Sequence, residues 1–91
     1  MDFEWDPVNA VRNRRKHRVS FYEAVTVFGD PWAVTLQDPD HSASELRFIT
    51  VGTSGAGRVL IVAHTDREER IRIISARHAT QGERKDYEEK N

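Results

Sequence analysis

A chain of 91 residues, 37% hydrophobic and 32% charged, is long enough for one core and too short for two. Residues 1–91 are therefore expected to form a single domain that buries roughly 60–65% of its unfolded surface. The absence of cysteine excludes a disulfide framework and a thiolate metal site, and the net charge of −1 excludes a uniformly basic nucleic-acid binder.

That average conceals segregation. Arg12, Arg14, Arg15, Lys16 and Arg18 fall in one stretch without an acid, and a polyanion senses local field, not net charge.

The N-terminus, Met1-Asp2-Phe3-Glu4-Trp5, is acidic and aromatic where a signal peptide is basic and then apolar. No run approaches the ~18 apolar residues of a membrane span, so a soluble, cytoplasmic protein is expected. Phe3, Glu4 and Trp5 can form a short strand. Asp6-Pro7 then reads as an N-cap followed by proline at the first helical position, which predicts a helix from about Pro7 to Lys16. Its apolar stripe, Val8, Val11 and Ala10, is thin, so the helix should lie on the surface with a basic side outward.

Ser20-Phe21-Tyr22-Glu23 fits a capping box. Phe21, Ala24, Val25 and Phe28 recur at helical spacing, and Gly29 stands where a left-handed residue would end that second helix. Four strand-like runs follow: Trp32 to Gln37, Leu46 to Thr53, Arg58 to Thr65 and Arg70 to Ala76. The turns between them, the first spanning Asp38 to Ser42, are too short for parallel crossovers, so an antiparallel four-stranded meander is expected. Val59 to Ala63 is apolar throughout, as in a central strand, while Arg70-Ile71-Arg72-Ile73 alternates as a half-exposed one does. Thr80-Gln81-Gly82-Glu83 is a further capping box, opening a terminal helix to Lys90 with Arg84–Glu88 and Asp86–Lys90 as charge pairs. The expected class is α+β: a small antiparallel sheet with two N-terminal helices and one C-terminal helix.

His17, His41, His64 and His78 do not pair at helical ligand spacing. His64-Thr65-Asp66 is the one close His/Asp grouping, so neither a metal nor a cofactor is expected. No nucleotide-binding loop or nucleophile elbow is present, and Gly52 to Gly57 reads as a hairpin loop. What remains is arginine near strand ends: Arg47, Arg58, Arg67, Arg70, Arg72 and Arg77. Their planar, permanently charged forks suit phosphate oxygens. RNA cleavage without metal needs such cations, plus groups that move protons to and from the ribose and the leaving oxygen. The candidates for proton transfer are His64, His78, Glu83 and Tyr87. Three of them have a plainer reading: His64 as a satisfied sheet histidine, Glu83 as a helix cap, Tyr87 as the residue that docks the last helix.

The residues also carry a resemblance. Phe3-Glu4-Trp5-Asp6-Pro7, Asn13 with Lys16-His17, Val19 to Ala24, Val27-Phe28, Arg47-Phe48 with Gly52, and Val59 to His64 are matching pieces. So is Ile71-Arg72-Ile73-Ile74-Ser75-Ala76-Arg77, which continues into Ala79-Thr80, Glu83-Arg84 and Tyr87. Together these resemble the BrnT family of bacterial type II toxins, relatives of the RelE-like ribonuclease fold. The resemblance implies an endoribonuclease that arrests growth. It also implies neutralisation by a BrnA-like antitoxin, whose ribbon-helix-helix region brings the complex to operator DNA and represses its own operon. Carried over by position, Arg72, Arg77, Glu83 and Tyr87 join His64 as catalytic candidates, and Lys16, His17, Arg47 and Arg84 as RNA-binding ones. Two positions depart from the family pattern: Asn9 stands where many relatives have lysine, and Arg18 replaces a glycine after Lys-His. The competing readings are a non-catalytic nucleic-acid-binding or co-repressor module and a structural domain that docks an acidic partner.

Overall fold

The fold comes from a computed structural model that describes residues 1–41 and 45–89. Asp6 caps helix α1, Pro7–His17, by accepting from the Val8 N–H at 2.8 Å. The helix ends at Arg18, whose φ of 61° is left-handed and whose N–H returns to the Arg14 carbonyl at 3.0 Å. The stop expected of glycine is made here by arginine. Helix α2 is short, Phe21–Thr26, and tightens into a 3-10 turn over Val27–Gly29. Gly29 does not adopt the expected left-handed conformation. The chain leaves instead through Asp30 in extended geometry.

Among the described residues the sheet has five strands, not the four expected. They are β1 (Asp2–Glu4), β2 (Val34–Gln37), β3 (Arg47–Thr53), β4 (Val59–Arg67) and β5 (Arg70–His78), in the order β1-β5-β4-β3-β2. The four-stranded antiparallel meander is present, and β1 extends it by pairing parallel to β5, with Phe3 opposite Ile71. Three residues at the N-terminus carry too little pattern to reveal a long-range parallel pairing. The helix arrangement differs too: α2 covers only part of its expected span, and a second 3-10 turn occupies Pro39–His41. Helix α3, Gln81–Glu89, follows β5. Its capping box closes in both directions: Glu83 N–H to Thr80 Oγ1 at 3.1 Å, and Thr80 N–H to Glu83 Oε1 at 2.9 Å.

One face of the sheet is covered by α1, α2 and the 3-10 turn, where Val19, Phe21, Ala24 and Val27 pack on Leu60, Val62, Ile73 and Ala76. Asn13 is buried among them and bridges the layers. Its amide donates to the Val19 and Ala76 carbonyls at 3.0 and 2.8 Å and accepts from the Ala76 N–H at 3.0 Å. Among the described residues, the opposite face is open except where α3 crosses one end. Among the described residues, no helix is long and apolar enough to cross a membrane.

Candidate active site

Residues opposite one another on paired strands project to the same face. On the open face this sets Arg47, Thr65 and Arg72 in one row and Val51, Ile61 and Arg77 in another. Arg72 and Arg77 are five positions apart, so strict alternation would send them to opposite faces. A bulge prevents this. Ala63 pairs with Ser75 but His64 pairs with Ile73, which leaves Ile74 as an extra residue in β5 and reverses the phase of the strand.

The Arg72 guanidinium is held by Glu4 of β1 at 2.8 Å. Arg47 stands two strands away across Thr65, about 10 Å by interstrand spacing. At the other end, Arg77 forms a two-pronged pair with Glu83 of α3, at 2.8 and 3.0 Å. Those bonds, with the Thr80 N–H, hold the Glu83 carboxyl down at about 2, and the same pairing raises Arg77.

Tyr87 is the one buried residue of α3. Its hydroxyl donates to Asp30 and lies 3.1 Å from the Thr53 hydroxyl. Burial, then the Asp30 carboxylate, pushes the phenol up. Burial pushes Asp30 up as well, but hydrogen bonds from the Thr53 N–H, Tyr87 and the Trp32 N–H outweigh it and keep its carboxyl low. Between α3 and the outer strands lies a cleft of about 400 Å³. Val34, Leu36, Ile49, Val51 and Ile61 line it, with Arg77, Glu83 and Tyr87 at its wall.

The structure thus places Arg47, Arg72 and Arg77 on the open face, the first two at one end of the sheet and Arg77 at the other, where Glu83 and Tyr87 of α3 join it. It does not bring His64 to them. His64 lies on the helix-covered face, 4% exposed, between Phe28 and Phe48. Its Nε2 is 2.7 Å from the Thr50 hydroxyl, and burial lowers its pKa. Lys16 and His17 sit in the last turn of α1, where burial and then the charges of Lys16, Arg77 and His78 lower His17. Arg84 is exposed on α3. The expected Arg84–Glu88 pair does not form; Lys85 approaches Glu89 at 3.9 Å instead, and Lys90 lies outside the described residues.

The partners of these residues escaped sequence reading. Glu4 belongs to a short strand and a matching N-terminal piece, and Asp30 follows Gly29 with no motif of its own. No local signal couples either to a residue more than fifty positions away. Among the described residues, no three of His, Cys, Asp or Glu stand close enough to form a metal-binding group.

The model for the ribonuclease toxin BrnT of type II toxin-antitoxin systems matches residues 5–83. The chain belongs to the BrnT family. The fold agrees with the crystal structure of the Brucella abortus ribonuclease toxin BrnT, with a TM-score of 0.66 at 20% identity. That similarity covers 89% of this chain and 99% of the Brucella one. No match is found among curated protein sequences. The family match takes in the open-face arginines and ends at Glu83, where α3 joins the sheet.

Proposed function

We propose that this BrnT-family toxin cleaves RNA on the open face of its sheet, without a metal ion. The observation that carries the reading is the delivery of Arg72 and Arg77 to the same face by the Ile74 bulge, Arg72 in line with Arg47, and Arg77 at a cleft whose largely apolar lining also includes Asp38, Asp40 and Asp86. In such cleavage the ribose 2′-oxygen loses its proton and attacks the adjacent phosphorus, negative charge builds on the phosphoryl oxygens, and the P–O5′ bond breaks to leave a 2′,3′-cyclic phosphate and a 5′-oxygen that takes up a proton as a 5′-hydroxyl. Preorganised guanidinium groups stabilise that charge most effectively where water is partly excluded.

Arg77 contacts the phosphate by turning its fork from Glu83. The carboxylate then loses the partner that depresses its pKa and becomes the acceptor for the 2′-hydroxyl proton. Tyr87, through Asp30 and Thr53, positions α3 so that Glu83 stays at the cleft. Lys16, His17, Arg47 and Arg84 extend the cationic contact to neighbouring phosphates.

A BrnA-like ribbon-helix-helix antitoxin neutralises the toxin in the cytoplasm, and the complex represses its own operon at operator DNA. Family membership supports this, as do three exposed apolar side chains on and beside the outer strands, Trp32, Leu36 and Leu46. Expression without antitoxin tests the toxin reading. Growth arrest with new 5′-hydroxyl RNA ends is expected, and unchanged growth with intact RNA would favour a non-catalytic co-repressor. Cleavage lost to EDTA and restored by Zn²⁺ would overturn metal independence.

A further inference from the structure

Away from the cleft, a groove of about 710 Å³ opens between α1, the start of α2 and the β3–β4 turn. Arg14, Arg15, Arg18 and Arg58 line it with a single acid, Glu23. That acid is already engaged: it pairs with the Nε and Nη2 edge of the Arg58 guanidinium and accepts from the Ser54 hydroxyl at 2.7 Å. Among the described residues, Arg14, Arg15 and Arg18 have no acidic partner within salt-bridge distance. The groove therefore presents a concentration of uncompensated positive charge in a chain of net charge −1.

The groove is also joined to the candidate active site. Arg77 donates to the His78 carbonyl at 3.2 Å, the His78 ring lies 3.2 Å from Arg58 Nη1, and Arg58 Nη2 reaches the Arg18 carbonyl at 3.5 Å. Arg18 adds an independent observation. It holds a left-handed conformation, φ 61°, that disfavours any residue with a Cβ and favours glycine. A non-glycine residue kept in such a conformation points to a role for its side chain.

We propose that this groove is a second backbone-phosphate subsite, so that the RNA strand leaving Arg77 passes His78 and Arg58 and enters the groove beside Arg14, Arg15 and Arg18. The proposal rests on the reading of the open face as the RNA-contacting surface. It assigns the groove no chemistry, only binding. Guanidinium forks suit phosphodiester oxygens, and contacts to phosphate fix position without selecting sequence.

The test uses the full chain and fluorescent single-stranded RNA with 2′-O-methyl groups, which binds but lacks the attacking hydroxyl. Two lengths are compared: a trinucleotide, and an oligonucleotide long enough to span cleft and groove. The double variant Arg14→Gln/Arg15→Gln should lose affinity for the long RNA, with the slope of log affinity against log salt reduced by about 1.4 for two lost single-strand contacts. Trinucleotide affinity should be unchanged. Arg18→Gly should weaken long-RNA binding while raising the unfolding midpoint, a combination that misfolding cannot produce.

An unchanged salt slope and long-RNA affinity in both variants would overturn the proposal. So would loss of affinity for an acidic antitoxin peptide with RNA binding intact, which would make the groove a protein-docking surface. Failure of the wild type to cleave unmodified RNA, with groove-dependent binding retained, would sink the ribonuclease reading and leave the subsite standing. Cleavage with no groove dependence would do the reverse.

Discussion

Arg72 and Arg77, separated by five positions in β5, share one face of the sheet because Ile74 is an extra residue opposite the Ala63–His64 step. Without that bulge one guanidinium would be turned into the apolar layer beneath α1 and α2. Bulges commonly re-aim side chains next to functional sites, and here the effect is to set two cations along one surface. Arg72→Ala should lower RNA cleavage by about 10²-fold, the order expected for one lost transition-state donor. Circular dichroism would confirm the fold, and unaltered cleavage would remove Arg72 from the site.

The Arg77–Glu83 pair makes a prediction about acid stability. Glu83 is depressed in the folded state to about 2 from an ordinary value of 4.5. Its contribution is therefore fully present above 4.5 and is lost as pH falls toward 2. Both side chains are about 40% exposed (41% and 38%), so solvent screening limits the effect to about 1 kcal/mol. Melting temperatures measured between roughly pH 6 and pH 2 should fall less steeply for Glu83→Gln than for the wild type. Parallel curves would show that the pair adds nothing to stability.

Helix α3 is polar on nearly every side, and its attachment depends on Tyr87. Tyr87→Phe keeps the ring but removes the hydroxyl that meets Asp30 and Thr53. The expected cost is about 1–2 kcal/mol in urea unfolding, with faster amide exchange over Gln81–Glu89 than over β4. Equal protection in variant and wild type would mean that the ring alone docks the helix.

Gly52 illustrates how backbone approach supports the same region. A Cβ there would lie 2.9 Å from Val27 Cγ1, 3.0 Å from Ala33 Cβ and 3.1 Å from Asp30 Oδ2. Gly52→Ala should cost about 1–3 kcal/mol as overpacking and displace the Asp30 carboxylate that receives Tyr87. A crystal structure of the variant with Asp30 unmoved would contradict the second part.

Much of this architecture was legible in the sequence because its signals are local. Asp6-Pro7, Ser20 and Thr80 announced three helix starts, and the apolar run Val59 to Ala63 marked the central strand. What escaped depends on distant partners. The pairing of β1 with β5, the Arg72–Glu4 contact and the Tyr87–Asp30 bond join residues 57 or more positions apart. Alternation read along Arg70-Ile71-Arg72-Ile73 was right locally, but the phase change at Ile74 appears only once β4 is laid beside it. His64 shows the same limit. It is a candidate for proton transfer by residue type, whereas Phe28 and Phe48, which enclose it, are far away in the chain.

Arg18 sharpens the relation between stability and function. Arg18→Gly relieves a left-handed non-glycine residue and should stabilise the fold by about 1 kcal/mol. Thermal unfolding checks this directly, and a lower midpoint would mean that the arginine side chain contributes more to the folded state than its backbone conformation costs.

The central claim is that the open face, through Arg77, cleaves RNA without metal. The most direct test incubates purified protein with naked total RNA in EDTA, beside Arg77→Ala shown to be folded by circular dichroism. The account predicts cleavage by the wild type and none above background by the variant. Equal cleavage by both proteins would contradict it, placing the chemistry away from Arg77.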